Sequence, residues 1–338
     1  MATLLELRRR VRSVKNMRQI TRAMKLVAGA KLRRAQDSML AARPYSEKMW
    51  DVLGEIATTS EQEISHPLLE PREVKRITAV VITSDRGLCG AFNTNVIRYA
   101  TRALNTWQEK DLHVLAAGRK GWDHFRRGDL EVDKADDDIL KHLSYPRAAA
   151  LAQYLIELYE TKETDAVYII YNEFVSALRQ NLVVEPLLPI RELPFGEEYG
   201  VSFREAARAF AEAQVAGHEH EHQGFSAIGA VATDVGESAA EAAHFDGGAA
   251  TEMVDYIYEP SGQAIIDELL PRFAEAQLFQ ALLESSAAEH AARMAAMDSA
   301  TKNAEELIEN LTLTMNKLRQ EAITNEILEV VGGAAAQS

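Results

Sequence analysis

Cysteine is almost missing from this sequence of 338 residues. Cys89 stands alone, which excludes an intramolecular disulfide and suits a reducing compartment. Proline is missing from both ends, with none before Pro44 and none after Pro271, so nothing interrupts a long helix in either place. There is no run of eighteen apolar residues, and the first residues lack the apolar core of a signal peptide. The sequence therefore predicts neither a membrane span nor a secretory leader. Catalytic signatures are lacking too: there is no nucleophile elbow, no H-E-x-x-H and no Cys-x-x-Cys.

What is present is enough to build a core. With 47% hydrophobic and 26% charged residues, the chain supports one or two packed domains and is neither disordered nor fibrous. Its charge is uneven. Up to Arg34 there are eleven cations against the single anion Glu6, which leaves +10 there and −24 on the rest of a chain whose formal net charge is −14. A basic helix suits nucleic acid, anionic lipid or an acidic protein surface. These cations ring a helix that also carries an apolar seam, so an acidic protein partner is the reading, with no nucleic acid.

The two proline-free ends are patterned alike. From Met294 the sequence steps by three and four through Met297, Thr301, Ala304, Ile308, Leu311, Met315, Leu318, Ala322 and Asn325, an unbroken heptad. One helix from Pro271 to about Val331 would be roughly 90 Å long. At the other end Leu4, Leu7, Val11, Val14, Met17, Ile20, Met24 and Val27 repeat the spacing, with steps of three on both sides of Val14. Such a slip predicts local overwinding. The expected arrangement is an antiparallel pair made from both ends of one chain; a parallel homodimer is the competing arrangement.

Between them the pattern is that of a mostly parallel α/β sheet. Strands are expected over residues 76–84, 112–117, 166–174 and 182–190, with helices over 93–107 and 148–160. The loop D-R-G-L-C-G at 85–90 joins strand to helix, as phosphate-binding turns do. It matches neither G-x-x-x-x-G-K-[ST] nor G-x-G-x-x-G, and reads as a tight turn in which Gly87 and Gly90 take unusual backbone angles. Cys89 reads as a small buried hydrophobe, and Asp136, Asp137 and Asp138 as solvated charge.

Over residues 196–251 the texture changes to Ala, Gly, Glu and His, and the strand and helix alternation stops. This stretch looks inserted and is locally acidic. Its H-E-H-E-H at 218–222 would place three imidazoles on one face of an extended strand, although a solvated loop is the simpler reading. The expected organisation is thus a shaft helix over 1–60, an α/β domain over 75–195, the insertion over 196–251 and a second shaft helix over 260–332.

Four motifs carry a resemblance. V-K-N-M-R-Q-I-T-R-A-M-K-L-V-A-G-A-K-L-R-R-A-Q (14–36), T-S-D-R-G-L-C-G-A-F-N (83–93), E-H-A-A-R-M-A-A-M-D-S-A-T-K-N-A (289–304) and I-T-N-E-I-L-E-V-V-G-G-A (323–334) resemble, in the same order, the γ subunits of the rotary F-type ATP synthase, in their bacterial form. The resemblance implies an asymmetric antiparallel coiled-coil shaft with a central Rossmann-like domain. The shaft would sit inside a ring of α and β subunits, above the ε subunit and the c-subunit membrane ring, one copy per complex. It implies transmission of rotation between proton flow and the β subunits, where catalysis would lie. This chain would then be non-catalytic, without cofactor or metal, and peripheral at the cytoplasmic face of the cell inner membrane.

Carried over by position, Met24, Lys25, Arg293, Arg319, Gln320, Thr324, Glu326 and Glu329 would contact the β subunits or support that coupling region. Tyr256, Tyr258 and Glu259 would lie near the membrane ring. The small, apolar V-V-G-G-A-A-A at the end suits a tip turning in a hydrophobic sleeve. The insertion falls where photosynthetic members carry extra sequence, but lacks the cysteine pair of the chloroplast form, which excludes a thiol switch there. Two rival readings stand beside this one. An α/β nucleotide-binding enzyme dimerised through coiled-coil arms is weakened by the missing phosphate motifs, and a basic coiled-coil nucleic-acid binder by the acidic remainder.

Overall fold

The computed structural model describes residues 3–59, 65–128, 130–135, 138–190 and 261–335. The insertion over 196–251, with its H-E-H-E-H, lies outside them, as do Tyr256, Tyr258 and Glu259.

Two long helices dominate. The first, α1, spans Leu4–Thr59 and carries Pro44 within it. The last, α5, spans Gly262–Ala335, 74 residues or about 110 Å, with Pro271 inside. Arg18 faces Glu305, Thr21 faces Thr301, Lys25 faces Asp298 and Leu32 packs on Ala291. Residue numbers rise on one helix as they fall on the other, so the pair is antiparallel and intramolecular, as expected.

The α5 seam agrees with the sequence pattern: Met297 and Ala304 are buried, and Met294, Thr301, Ile308, Leu311, Met315, Leu318 and Ala322 are half-buried. Asn325 is exposed. The α1 seam agrees as far as Val14, with Leu7 buried and Leu4, Val11 and Val14 half-buried, and departs beyond it, although Met24 is half-buried. Met17, Ile20 and Val27 are 57%, 60% and 58% exposed, while Thr21, Ala28, Leu32 and Met39 are buried and Arg18, Lys25 and Ala35 half-buried. The seam is therefore a strict heptad through Val14, Arg18, Thr21, Lys25, Ala28, Leu32, Ala35 and Met39, without the slip. Small side chains let the two helices approach closely, and only this register pairs Lys25 with Asp298 and the two threonines at 2.8 Å.

Between the long helices lie β1 (Arg76–Ile82), α2 (Phe92–Thr106), β2 (Asp111–Ala117), α3 (Arg119–Phe125), β3 (Glu131–Lys134), α4 (Tyr145–Glu160), β4 (Ala166–Phe174) and β5 (Gln180–Leu188). The strand order is β3-β2-β1-β4-β5. The first four strands are parallel, and β5 is antiparallel to β4. Both β3 and α3 went unexpected: at four and seven residues they are too short to show periodicity. β1 is apolar without alternation because both sheet faces are covered. Val80 and Ile82 face α4 and α5, whereas Ile77, Ala79 and Val81 face α2. The loop after β1 differs in detail from expectation, since positive φ falls on Leu88 (64°) and Gly90 (58°) and not on Gly87.

Candidate functional site

In a doubly wound sheet, ligands bind beyond the carboxyl ends of the strands where the strand order reverses. Here that point lies between β1 and β4, and α5 fills it. Cys89, Phe92 and Ala288 form a buried cluster there, with Phe174 and Ala292 packed against it. Nε2 of Gln180 donates to the Ala288 carbonyl at 2.9 Å. The nucleotide-like turn therefore serves as a seat for the helix. Cys89 is buried, as its sequence context suggested, and its Sγ accepts from Nδ2 of Asn93 at 3.2 Å. Among the described residues, no cluster of three or more His, Cys, Asp or Glu side chains is placed to hold a metal ion.

The seat is held electrostatically by Arg293. Its Nη1 pairs with Glu289 at 2.6 Å, and its Nη2 donates to the carbonyl of Gly87 at 3.3 Å. Burial pushes the Glu289 carboxyl above its ordinary value despite the pull of Arg293. Next to it His290 is pushed down to about 4, chiefly by burial and then by the neighbouring charges of Arg293 and Lys31. Further along the seam, hydrogen bonds from Lys25 and Lys302 hold the Asp298 carboxyl below its ordinary range.

The outer surface of α1 has a different character. Arg8, Arg9, Arg10, Arg12, Lys15, Arg22, Lys31, Arg33 and Arg34 are exposed, and among them stand the exposed apolar side chains of Met17, Ile20, Leu26 and Val27. A contiguous mixture of cations and large apolar groups on a monomer marks a surface made for a partner. Residues that sequence periodicity assigned to the internal seam thus belong to this outer face.

The residues carried over by position fall into three groups. Met24 and Lys25 are half-buried on the shaft, with Lys25 bound to Asp298. Arg293 lies where the shaft meets the sheet. Arg319, Gln320 and Thr324 are exposed near the far end, where the Thr324 hydroxyl donates to the Gln320 carbonyl at 2.9 Å. Glu326 and Glu329 lie on the α5 backbone, and their side chains are outside the described residues. From position 293 to 329 the helix rises about 54 Å, so these residues line a rod and do not converge on a pocket. Beyond Gln320 no described residue of α1 lies opposite α5, and Ile323, Ile327 and Leu328 are exposed.

Comparison with known proteins agrees with this geometry. The family described as ATP synthase matches residues 3–337. The ATP synthase gamma chain of Pelotomaculum thermopropionicum is 42% identical over 336 residues, covering 99% of both chains. That of Chloroherpeton thalassium is 42% identical over 342 residues, covering 99% of this chain and 98% of its own. In fold, the chain is similar to one in the Euglena gracilis mitochondrial ATP synthase assembly of OSCP, F1 and c-ring, with a TM-score of 0.59 at 19% identity, covering 99% of this chain and 94% of that one. Among the described residues no helix is long and apolar enough to cross a membrane.

Proposed function

Since the chain belongs to the ATP synthase gamma-chain family, we propose that it is the central rotor stalk of a proton-translocating ATP synthase, turning rotation of a membrane ring into the conformational cycle of the catalytic β subunits. The observation that supports this best is the shaft itself. Two helices from one chain form a rod whose outer surface mixes cations with exposed apolar groups, while the crevice where the strand order reverses is filled by α5. A stiff rod of this kind is suited to transmitting force.

The basic collar meets acidic segments of the β subunits through partly screened pairs, each contributing ~0–1 kcal/mol. Contacts that weak are exchanged as the shaft turns. In this reading Met24, Lys25, Arg319, Gln320, Thr324, Glu326 and Glu329 face the αβ ring, and Arg293 braces the shaft against the α/β domain at the start of that region. Tyr256, Tyr258 and Glu259 approach the c-subunit ring and ε. The single-helix end beyond Gln320 turns in a sleeve formed by the α and β subunits. The chain is then peripheral, held at the cytoplasmic face of the inner membrane by its neighbours.

The test is co-expression with matching α and β subunits, followed by size-exclusion chromatography and an ATPase assay. One copy of this chain per three αβ pairs, with turnover requiring all three, is the expected result. Turnover by the purified chain alone would overturn the proposal.

A further inference from the structure

From Phe273 to Glu289, α5 is enclosed on every side, with only Phe279 half-buried. A helix buried all round is ordinarily apolar all round. This one buries the carboxylates of Glu275, Glu284 and Glu289, the amides of Gln277 and Gln280, and a pair of serines.

Two of these groups bind the α/β domain directly. The carboxylate of Glu185 on β5, 5% exposed, accepts from the Tyr171 hydroxyl on β4 at 2.8 Å and from Nε2 of Gln277 at 2.9 Å. The same Nε2 reaches the Pro186 carbonyl at 3.4 Å. The carboxylate of Glu275, 7% exposed, accepts from the Tyr145 hydroxyl at 2.9 Å and from Nε2 of Gln153 at 3.0 Å, both on α4. Positions 275 and 277 are about 200° apart around a helix of 3.6 residues per turn. The two latches therefore grip nearly opposite sides of α5 and oppose rotation in either sense.

Apolar packing is non-directional and allows small rotations or slides of a helix in its sleeve. A hydrogen bond to a buried carboxylate does not, because displacement strands that desolvated group. Such networks add little net stability over apolar isosteres, yet they can specify a register. We propose that Glu185 with Tyr171 and Gln277, and Glu275 with Tyr145 and Gln153, are torque-bearing positioning residues that lock α5 rotationally to the α/β domain. Torque applied to the domain then emerges along the shaft and is not lost as slip at this junction. The proposal rests on the rotor reading above.

The experiment uses the complete enzyme in proton-tight vesicles. Tyr171→Phe with Glu185→Leu and Gln277→Leu removes one latch, and Tyr145→Phe with Gln153→Leu and Glu275→Leu removes the other. Both variants should assemble in one copy, keep a thermal midpoint at or above that of the unmodified enzyme, and hydrolyse ATP. Each should lose proton pumping per ATP, and both together should lose more than the sum. Unchanged pumping per ATP in either variant overturns the lock and leaves the rotor reading standing. A loss of pumping that only tracks a loss of thermal stability also overturns it, since a purely structural role predicts that. If the β5 variant does not fold, the α4 variant decides, because Tyr145 and Gln153 lie at the surface. Pumping by vesicles that lack this chain would instead overturn the rotor reading.

Discussion

His290 and Glu289 are adjacent residues that burial pushes in opposite directions. His290 is neutral in the fold and titrates at about 4, against 6.5 in an unfolded chain. As pH falls through that window the unfolded chain takes up a proton that the folded chain refuses, so stability is lost on acidification. A shift of that size is on the order of 3 kcal/mol. Glu289 works the other way: its raised value means that the folded carboxyl binds a proton first, so stability is gained as pH falls through that value towards 4.5. Denaturant titrations of the full chain at a series of pH values should show a net acid loss between 6.5 and 4. His290→Gln should flatten it, and an unchanged slope would exclude His290 as the source. The pair opens the third motif, but the sequence did not mark its titration, because the shifts come first from burial in the packed chain and then from the charge of Arg293.

At the scale of the element, the choice between two faces of α1 is open to direct measurement. Ile20 lies on the outer face and Ala28 on the inner one. Ile20→Lys should change the stability of the isolated chain by no more than about 0.5 kcal/mol. Ala28→Lys places an unpaired cation in the seam and should cost about 3 kcal/mol or more; equal effects would restore the seam expected from sequence. Gly29 is a helix-interior glycine whose added Cβ would meet the flexible Sδ of Met294 at 3.4 Å. Gly29→Ala should therefore stabilise by roughly 0.5–1 kcal/mol, read as a raised thermal midpoint. The stripe through Met17, Ile20 and Val27 misleads in sequence because α1 carries two apolar faces. Periodicity counts hydrophobic residues without knowing which stripe meets α5 and which stays on the outer surface. The β1, β2 and β4 strands were legible because their runs are continuous and their flanking helices long. β5 was also legible, but its span, expected over 182–190, begins and ends two residues earlier.

For the whole molecule, the far end of α5 offers the sharpest separation of folding from function. Beyond Gln320 no described residue of α1 supports it, so its removal takes little from the folded chain. Deleting residues 323–335 should leave the thermal midpoint of the isolated chain unchanged while lowering ATP synthesis by the reconstituted complex. A fall in midpoint with synthesis intact would mean that this segment belongs to the fold and not to the coupling surface.

The order of residues along the chain was enough to determine two long terminal helices with apolar seams, a parallel α/β core between them, a basic collar, and the resemblance to the ATP synthase gamma chains, whereas the contacts between the helices settled their antiparallel pairing. Helices, core, collar and resemblance depend on local spacing, charge and motif, which a linear sequence carries in full. Only the tertiary structure decided which face of α1 is internal, that α5 occupies the crevice where a ligand would otherwise lie, and that carboxylates from β5 and α5 are buried at the junction. Each of these depends on which residues, tens or hundreds of positions apart, exclude water from one another. Burial of that kind is a property of the packed chain and not of any stretch within it.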